Sequence, residues 1–427
     1  MPADSSLVYD VAIIGGGIVA HQIALQLLAR GQRIALIDDG PPGGRQAASF
    51  GNAGWLSSHS VMPPAYPGVW KQIPRWLLDP LGPLTVRLPQ ALRATPWLLN
   101  YLRAASTPEK VRRTAAALRT LLKDAPALHA AVADQVGAQD LIDARSGLLH
   151  AFPDRAFYER SRFGWDVRRS LGIEVQELDA PALHALEPYL SSDYRFGLFV
   201  PEAGRCRHPA AYVQRIAAHL DAHGLQRVTA QARGFDLRNG HLAAVRTTQG
   251  AIACRQAVVA AGIGSKCLAD ALGDRLPLES ERGYHAMVLG EGLRGPQVPV
   301  MLEDRKVIVH QMQHGVRCAG QVEIAGTRAA PRWQRADVVR SHLLAAFPTL
   351  CADRPDAATD QWLGHRPSTY DGLPAIGPSP RCPQVVYACG HGHVGLVGSA
   401  RTGRVVAQLL AGEPTDIDLA PFSLQRF

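Results

Sequence analysis

The run Gly15-Gly16-Gly17-Ile18-Val19-Ala20 follows an apolar segment, Val11–Ile14, and opens a helical pattern. A second apolar segment, Ile34–Ile37, ends in Asp38, 23 residues after Gly15. These residue types at this spacing suit a dinucleotide. Gly15 permits the tight turn, Gly17 lets backbone amides approach a pyrophosphate, and Ala20 is small enough to pack a helix on a strand. The helix N-terminus supplies partial positive charge to the phosphates. Asp38 is placed to accept hydrogen bonds from an adenosine ribose, and its charge disfavours a 2′-phosphate. Ile14, Ile18, Val19 and Asp39 flank these groups and join them as expected cofactor contacts.

Such chemistry needs a strand, a turn, a helix and a second strand in one βαβ unit, and the sequence supplies them in that order. The 427 residues suffice for one large or two interleaved domains, and 47% apolar with 19% charged residues is an ordinary globular balance. The βαβ unit starts about ten residues into the chain, so no cleavable leader is expected. No uninterrupted apolar stretch reaches the roughly 20 residues of a membrane span. Seven cysteines with no CxxC pair point to free thiols in a reducing compartment, and no metal site is expected. The net charge of +8 comes from 40 arginines and 5 lysines, without a basic run interleaved with aromatics. Nucleic-acid binding is therefore not expected; the excess still suits anionic substrates, an acidic partner or an anionic membrane surface.

The expected organisation is discontinuous. Residues 1–60, 205–270 and 360–427 are read as a nucleotide domain, and 61–204 with 271–359 as a second domain. After Asp39, the turn-rich segment Gly40–Arg45 leads to Ser49-Phe50-Gly51-Asn52-Ala53-Gly54, whose small residues and single amide suit a loop backing onto a flat ligand. Residues 61–105 are broken by eight prolines into short helical pieces rich in Trp and Leu. Helical spacing runs from 109 to 136 and again around 209–222. Strands are expected at 227–235, 241–248 and 251–255, with Asn239-Gly240 as a hairpin turn. A buried strand precedes Ala261-Gly262, and 275–350 reads as further strands. A final strand, Val385–Ala388, runs into the loop Gly390–Gly395 and a helix ending near Leu410.

Together these segments resemble the D-amino-acid oxidase/glycine oxidase superfamily of FAD enzymes. Within it the chain is most similar to bacterial D-amino-acid dehydrogenases and their D-hydroxyproline dehydrogenase relatives. The likeness spans nearly the full length. It is carried by Gly15–Ala20, Ser49–Gly54, Glu281-Arg282-Gly283-Tyr284-His285, the block Gly364–Gly377 and the loop Gly390–Gly395. It implies an α/β Rossmann-like FAD domain with an α+β substrate domain on a mainly antiparallel sheet. It also implies FAD with its adenosine end on Gly15, Gly17 and Asp38. The isoalloxazine would lie near Asn52, Ala53, Gly54 and Gly392-His393-Val394-Gly395-Leu396, with Arg45, Ser49, Ala261 and Gly262 as further contacts. His393 stands where glycine-rich members carry a glycine. Residues 361–372 hold no cysteine of the kind that tethers flavin, so non-covalent FAD is expected, with Cys389 as the one reservation.

The chemistry implied is hydride transfer from Cα of a D-amino acid to flavin N5, giving an imino acid. Cyclic substrates such as D-proline or D-hydroxyproline are favoured, and electrons pass to a quinone or other respiratory acceptor. The alternatives are an oxygen-using glycine or sarcosine oxidase, a subunit of a multi-subunit amine oxidase, and a flavin-bearing interaction protein without turnover. The protein must orient Cα–H and pair the carboxylate, for which a guanidinium fork is suited. Arg366 is the first candidate, against an alternative pairing with Asp371; Arg282 is the second. Tyr284 could bind the carboxylate and His285 could accept the ammonium proton, against plain packing in a sheet. His393, His391 and His310 are further candidates near the flavin. Residues 63–105 are read as a packed part of the second lobe, a lid or a membrane-contacting patch. The expected location is the cytoplasm, with contact at the cytoplasmic face of the inner membrane left open.

Overall fold

Along strand Tyr9–Ile14, Val11 and Ile13 pack into one apolar core while Tyr9, Ala12 and Ile14 pack into another. That alternation without polar positions marks a strand covered on both faces. It is central to a parallel sheet in this computed structural model, which describes residues 8–63, 65 and 81–427. Ile34–Asp38 lies on one side, with Gln226–Thr229 beyond it, and Gly250–Val259 lies on the other. Val385–Cys389 runs parallel to the second half of Gly250–Val259, and Ala375–Pro378 closes that edge antiparallel. Helices Ile18–Leu28, Pro209–Ala222 and Ser399–Leu410 cover one face of the sheet.

The other face is covered by a meander. Ala232–Arg238 turns at Asn239-Gly240 into His241–Thr247, which pairs with the first half of Gly250–Val259. Both turn residues have positive φ, 53° and 80°, the geometry of a tight primed hairpin turn. The single strand expected at 227–235 is therefore two: the chain leaves the parallel sheet at Ala230, whose amide donates to Asp38 O, and enters the meander at Ala232.

A second, nine-stranded sheet carries the other half of the molecule. Thr359–Thr369, Leu278–Leu289, Gly315–Ile324, Val307–Met312, Val300–Leu302, Leu148–Phe152, Phe196–Val200 and Gln176–Leu178 follow one another across it, and Leu84–Val86 joins Gly315–Ile324. Its pairings are antiparallel except those of Val300–Leu302 with Leu148–Phe152 and of Leu84–Val86 with Gly315–Ile324. Strand Thr359–Thr369 pairs with Leu278–Leu289 over its whole length, from Val288↔Thr359 to Leu278↔Thr369.

The stretch 275–350, read as strands alone, also holds helix Gln334–Ala346, whose Ala336, Val339, Leu343 and Ala346 are buried against this sheet at helical spacing. Helices Pro108–Leu122 and Ala125–Val136 bury Leu118, Leu121 and Val132 in the same core as the helices of the first sheet. In helix Leu88–Ala104, Trp97 is buried and stacks on Tyr101, while Leu88, Leu92 and Leu99 are exposed. Trp70, Trp76, Leu77 and Leu78 lie outside the described residues. Among the described residues no helix is long and apolar enough to cross a membrane.

Candidate active site

A cavity of about 1210 Å³ runs from the glycine turn to the face of the second sheet. It exceeds the roughly 300–1,000 Å³ of a small-molecule pocket, which leaves room for a dinucleotide and a second ligand.

At one end the nucleotide signature is laid out in space. Gly15 has φ +119°, and a Cβ there would meet Ala260 O at 2.4 Å. A Cβ on Gly16 would come within 2.8 Å of the Asp38 carboxyl carbon, so glycine is what lets the acid sit against the turn. Asp38 accepts from Gly40 N at 2.9 Å, and burial raises its pKa. Helix Ile18–Leu28 starts at Gly17 with no side-chain cap of its own and no acid in its first turn. Ser49 Oγ, also on the cavity wall, accepts from Ile18 N at 3.0 Å. A helix N-terminus free of acids in its first turn, beside a ribose-competent carboxylate, fits an adenosine diphosphate moiety.

The loop Ser49–Gly54 is held by groups from the second sheet. Arg317 Nη1 donates to Phe50 O and Asn52 O, His285 Nδ1 to Gly51 O at 3.2 Å, and His310 Nδ1 to Ala53 O at 2.8 Å. Burial lowers the pKa of His285 to about 4 and of His310 to about 3, so both rings are neutral donors. With its carbonyls turned to the sheet, the loop sets Asn52 and Ala53 on the cavity wall. The loop Gly390–Gly395 faces the same space, tied to strand Thr359–Thr369 by the bridge Ser368↔His391.

Of the residues singled out from sequence, Ile14, Gly15, Gly17, Ile18, Val19, Asp38, Asp39, Ser49, Asn52, Ala53, Ala261, Gly262, Gly392, His393, Gly395, Leu396, Tyr284 and Arg366 line the cavity. Four others do not. Arg45 is engaged on the surface by Asp360 at 3.1 Å and by Gln361 O at 2.7 Å, so its guanidinium is turned away from the cofactor end. Gly54 takes a positive φ of 75° behind the wall, and Val394 is buried in the helical core. His285 is fully buried, stacked on Trp362 and bonded to Gly51, which removes it from contact with a ligand.

Tyr284 presents its ring to the cavity, but its hydroxyl donates to Glu323 at 2.8 Å and accepts from Arg332 N, so it is not free for a carboxylate. Arg282 is buried and spent on Glu323 and on the carbonyls of Gly326 and Ala329. His391 bonds Thr402 Oγ1 at 3.0 Å and is structural. Cys389 lines the cavity as a thiol, its pKa pushed up to about 12 by burial.

Arg366 emerges with one N–H committed, Nη1 to Gln321 O at 2.9 Å. No carboxylate of the described residues lies within ion-pair distance of it; Glu281, the acid that acts on it, is itself bonded by Ser368 at 2.7 Å. A second guanidinium in the same state was not foreseen. Arg168, on helix Arg162–Ser170, lies over the Trp165 ring at 4.5 Å and has no ion-pair partner among the described residues. His393 is exposed to the cavity rather than to bulk water, makes no hydrogen bond among the described residues, and has its pKa lowered to about 4. Burial by surrounding protein is the main cause, with repulsion from Arg366 and Arg168 adding to it. Those two cations and this neutral imidazole therefore converge on one region. Arg168, Trp165, His150 and Glu303 were missed because they come from separate elements with no local motif; Trp165 and Arg168, three apart on a helix, were the nearest thing to a signal.

A family described as FAD dependent oxidoreductase matches residues 10–409. The chain belongs to that family. It is therefore an FAD-dependent oxidoreductase, and FAD is its cofactor. A D-amino-acid oxidase of Bradyrhizobium diazoefficiens is 52% identical over 417 residues, 98% of each chain. A D-amino acid dehydrogenase of Paramagnetospirillum magneticum is 28% identical, again over 98% of both. Among solved structures, glycine oxidase from Geobacillus kaustophilus superposes with a TM-score of 0.74 at 22% identity, covering 98% of this chain and 99% of that one. The paired Rossmann-like and mainly antiparallel sheets are thus the fold of FAD-dependent oxidoreductases of this type.

Proposed function

We propose that this protein oxidises D-amino acids to imino acids, with non-covalent FAD as the hydride acceptor. The carrying observation is a pair of partly buried guanidiniums, Arg366 and Arg168, that have no acidic partner among the described residues and line a cavity continuous with the nucleotide cradle. A cation drawn partly out of water without a counter-charge is costly, and a carboxylate-bearing ligand removes that cost. The names of the 52% and 28% identical relatives support the D configuration. FAD, when bound, takes the hydride. The chain's own contribution is placement: Arg366 offers its remaining N–H groups to the α-carboxylate, and neutral His393 accepts a hydrogen bond from the amine. The sheet face and apolar side chains such as Phe163, Met301 and Ile308 exclude water. Tyr284 lines the wall with its ring while its hydroxyl holds Glu323, and His285 acts behind the wall on the Gly51 loop.

A compact apolar wall suits cyclic substrates such as D-proline and D-hydroxyproline, and a quinone or other respiratory acceptor at the inner-membrane face is the proposed electron sink. Titrating the purified flavoprotein anaerobically with D-proline, D-hydroxyproline, D-alanine and their L forms tests the reading. Bleaching of the flavin by the D forms is expected; bleaching by L forms or sarcosine alone overturns it. A second reading, oxygen as acceptor, is favoured by the name of the 52% identical relative. Stoichiometric peroxide release in air identifies it, whereas turnover only with a quinone or dye excludes it.

A further inference from the structure

One wall of the cavity contains a chain of polar groups, buried at Ser57, His59, His150 and Glu303, that the reaction above leaves unused. Ser60 Oγ meets Ser57 Oγ at 2.6 Å, and Ser57 Oγ lies 3.5 Å from His59 Nδ1. His59 Nε2 and His150 Nε2 are 2.8 Å apart, His150 Nδ1 is 2.7 Å from Glu303 Oε1, and Lys306 Nζ donates to Glu303 Oε2 at 2.6 Å. Lys306 and His150 hold Glu303 ionised despite its burial. His150 Nδ1 therefore carries the proton, His150 Nε2 accepts from His59 Nε2–H, and His59 Nδ1 accepts from Ser57. Every ring nitrogen is used inside the chain, so the chain is a frame rather than a base for the ligand.

What it frames is Arg168. The Trp165 ring stands edge-on to His150 at 4.7 Å and faces His59 at 6.5 Å, and the Arg168 guanidinium covers Trp165. Arg168 Nε donates to His59 O at 3.1 Å and Nη1 to Gly164 O at 3.3 Å. Its Nη2 makes no hydrogen bond among the described residues, and Glu303, the acid that acts on it, is already taken by Lys306 and His150. Stacking and two carbonyl contacts hold the planar fork rigid. The α-carboxylate of a substrate has two oxygens, which the fork of Arg366 satisfies; a second fixed cation, on a different element, calls for another acceptor.

We propose that Arg168 is a second ligand-anchoring residue that recognises an oxygen on the substrate side chain: a hydroxyl, an amide carbonyl or a second carboxylate. The His59–His150–Glu303–Lys306 chain positions it through Trp165. The proposal deepens the function above and rests on it. D-hydroxyproline, D-serine, D-asparagine and D-aspartate belong to this class; D-alanine and D-proline do not.

The test uses FAD-loaded protein and non-reactive acids, with binding read by calorimetry. Wild type is expected to bind 3-hydroxypropionate and succinate roughly tenfold or more tighter than propionate, the gain of a charge-assisted hydrogen bond. In Arg168→Met that preference falls to about twofold or less while propionate affinity is retained. Arg168→Lys, which keeps the charge and loses the fork, falls between the two and decides the matter should the methionine variant not fold. No preference in wild type overturns the proposal, as does an equal loss for all three acids in Arg168→Met or a wild-type preference in Arg168→Lys. An intact preference in a protein that no D-amino acid reduces would instead strike the function proposed above.

Discussion

Replacing Arg366 by leucine removes the guanidinium best placed for an α-carboxylate while leaving the nucleotide end untouched. Truncating one side of a buried charge pair costs about 2–4 kcal/mol, so kcat/KM should fall roughly 30- to 1000-fold. The loss should appear chiefly in KM, with flavin absorbance retained; unchanged kinetics would remove the role. Asp38→Ala acts at the other end of the cavity. It should raise the FAD dissociation constant about tenfold or more by deleting one charged hydrogen-bond acceptor, measured by flavin fluorescence on titration of apoprotein. The two residues differ in how they could be found. Asp38 stands at a fixed offset from Gly15 in one βαβ unit, so sequence alone pointed to it. Arg366 needed family likeness; in space it stands partly exposed on the cavity wall with no acid within ion-pair distance among the described residues, whereas Arg282 is buried and paired with Glu323.

At the scale of elements, the site depends on how strands Leu278–Leu289 and Thr359–Thr369 register. Gly283 pairs with Gly364, and Arg366 with Glu281. A Cβ on Gly283 would meet Arg366 Nη2 at 2.3 Å. Gly283→Ala should therefore displace the guanidinium and mimic the Arg366 lesion, raising KM while FAD binding persists; a normal KM would show that Arg366 does not anchor substrate. The same two strands show what periodicity reveals and what it hides. The βαβ unit, the Asn239-Gly240 hairpin and the terminal helix were legible because each signal is local. Helix Gln334–Ala346 carried a buried stripe at helical spacing but was lost among neighbouring strands. The break at Ala230 was invisible, since both halves are strand and only their partners differ.

For the molecule as a whole, buried histidines set a pH dependence. His21, His129, His285 and His391 have pKa values lowered to about 4, mainly by burial. In the unfolded chain they titrate near 6.5 (roughly the free-histidine value). Between these values the unfolded state binds more protons, so stability is lost as pH falls from about 6.5 towards 4. Glu187, raised to about 7 by burial, opposes this in the same window but is outnumbered by the buried histidines. The urea midpoint should drop measurably from pH 7 to pH 5; a flat or rising midpoint would show that these rings are hydrated in the folded state.

Across these scales the division of information is consistent. The βαβ geometry that brings Gly15, the helix N-terminus and Asp38 to one end of the cavity was written in residues close together in the chain, because glycine turns, helix ends and the acid that follows a strand act over a few bonds. The pairing state of each charge was not, because whether a guanidinium meets a carboxylate depends on strands and helices far apart in sequence. Arg45 was read as a cofactor ligand and is spent on Asp360; Arg168 attracted no notice and stands on the cavity wall without an ion-pair partner among the described residues. Desolvation and ion pairing are properties of the packed molecule, and only the folded chain could assign them.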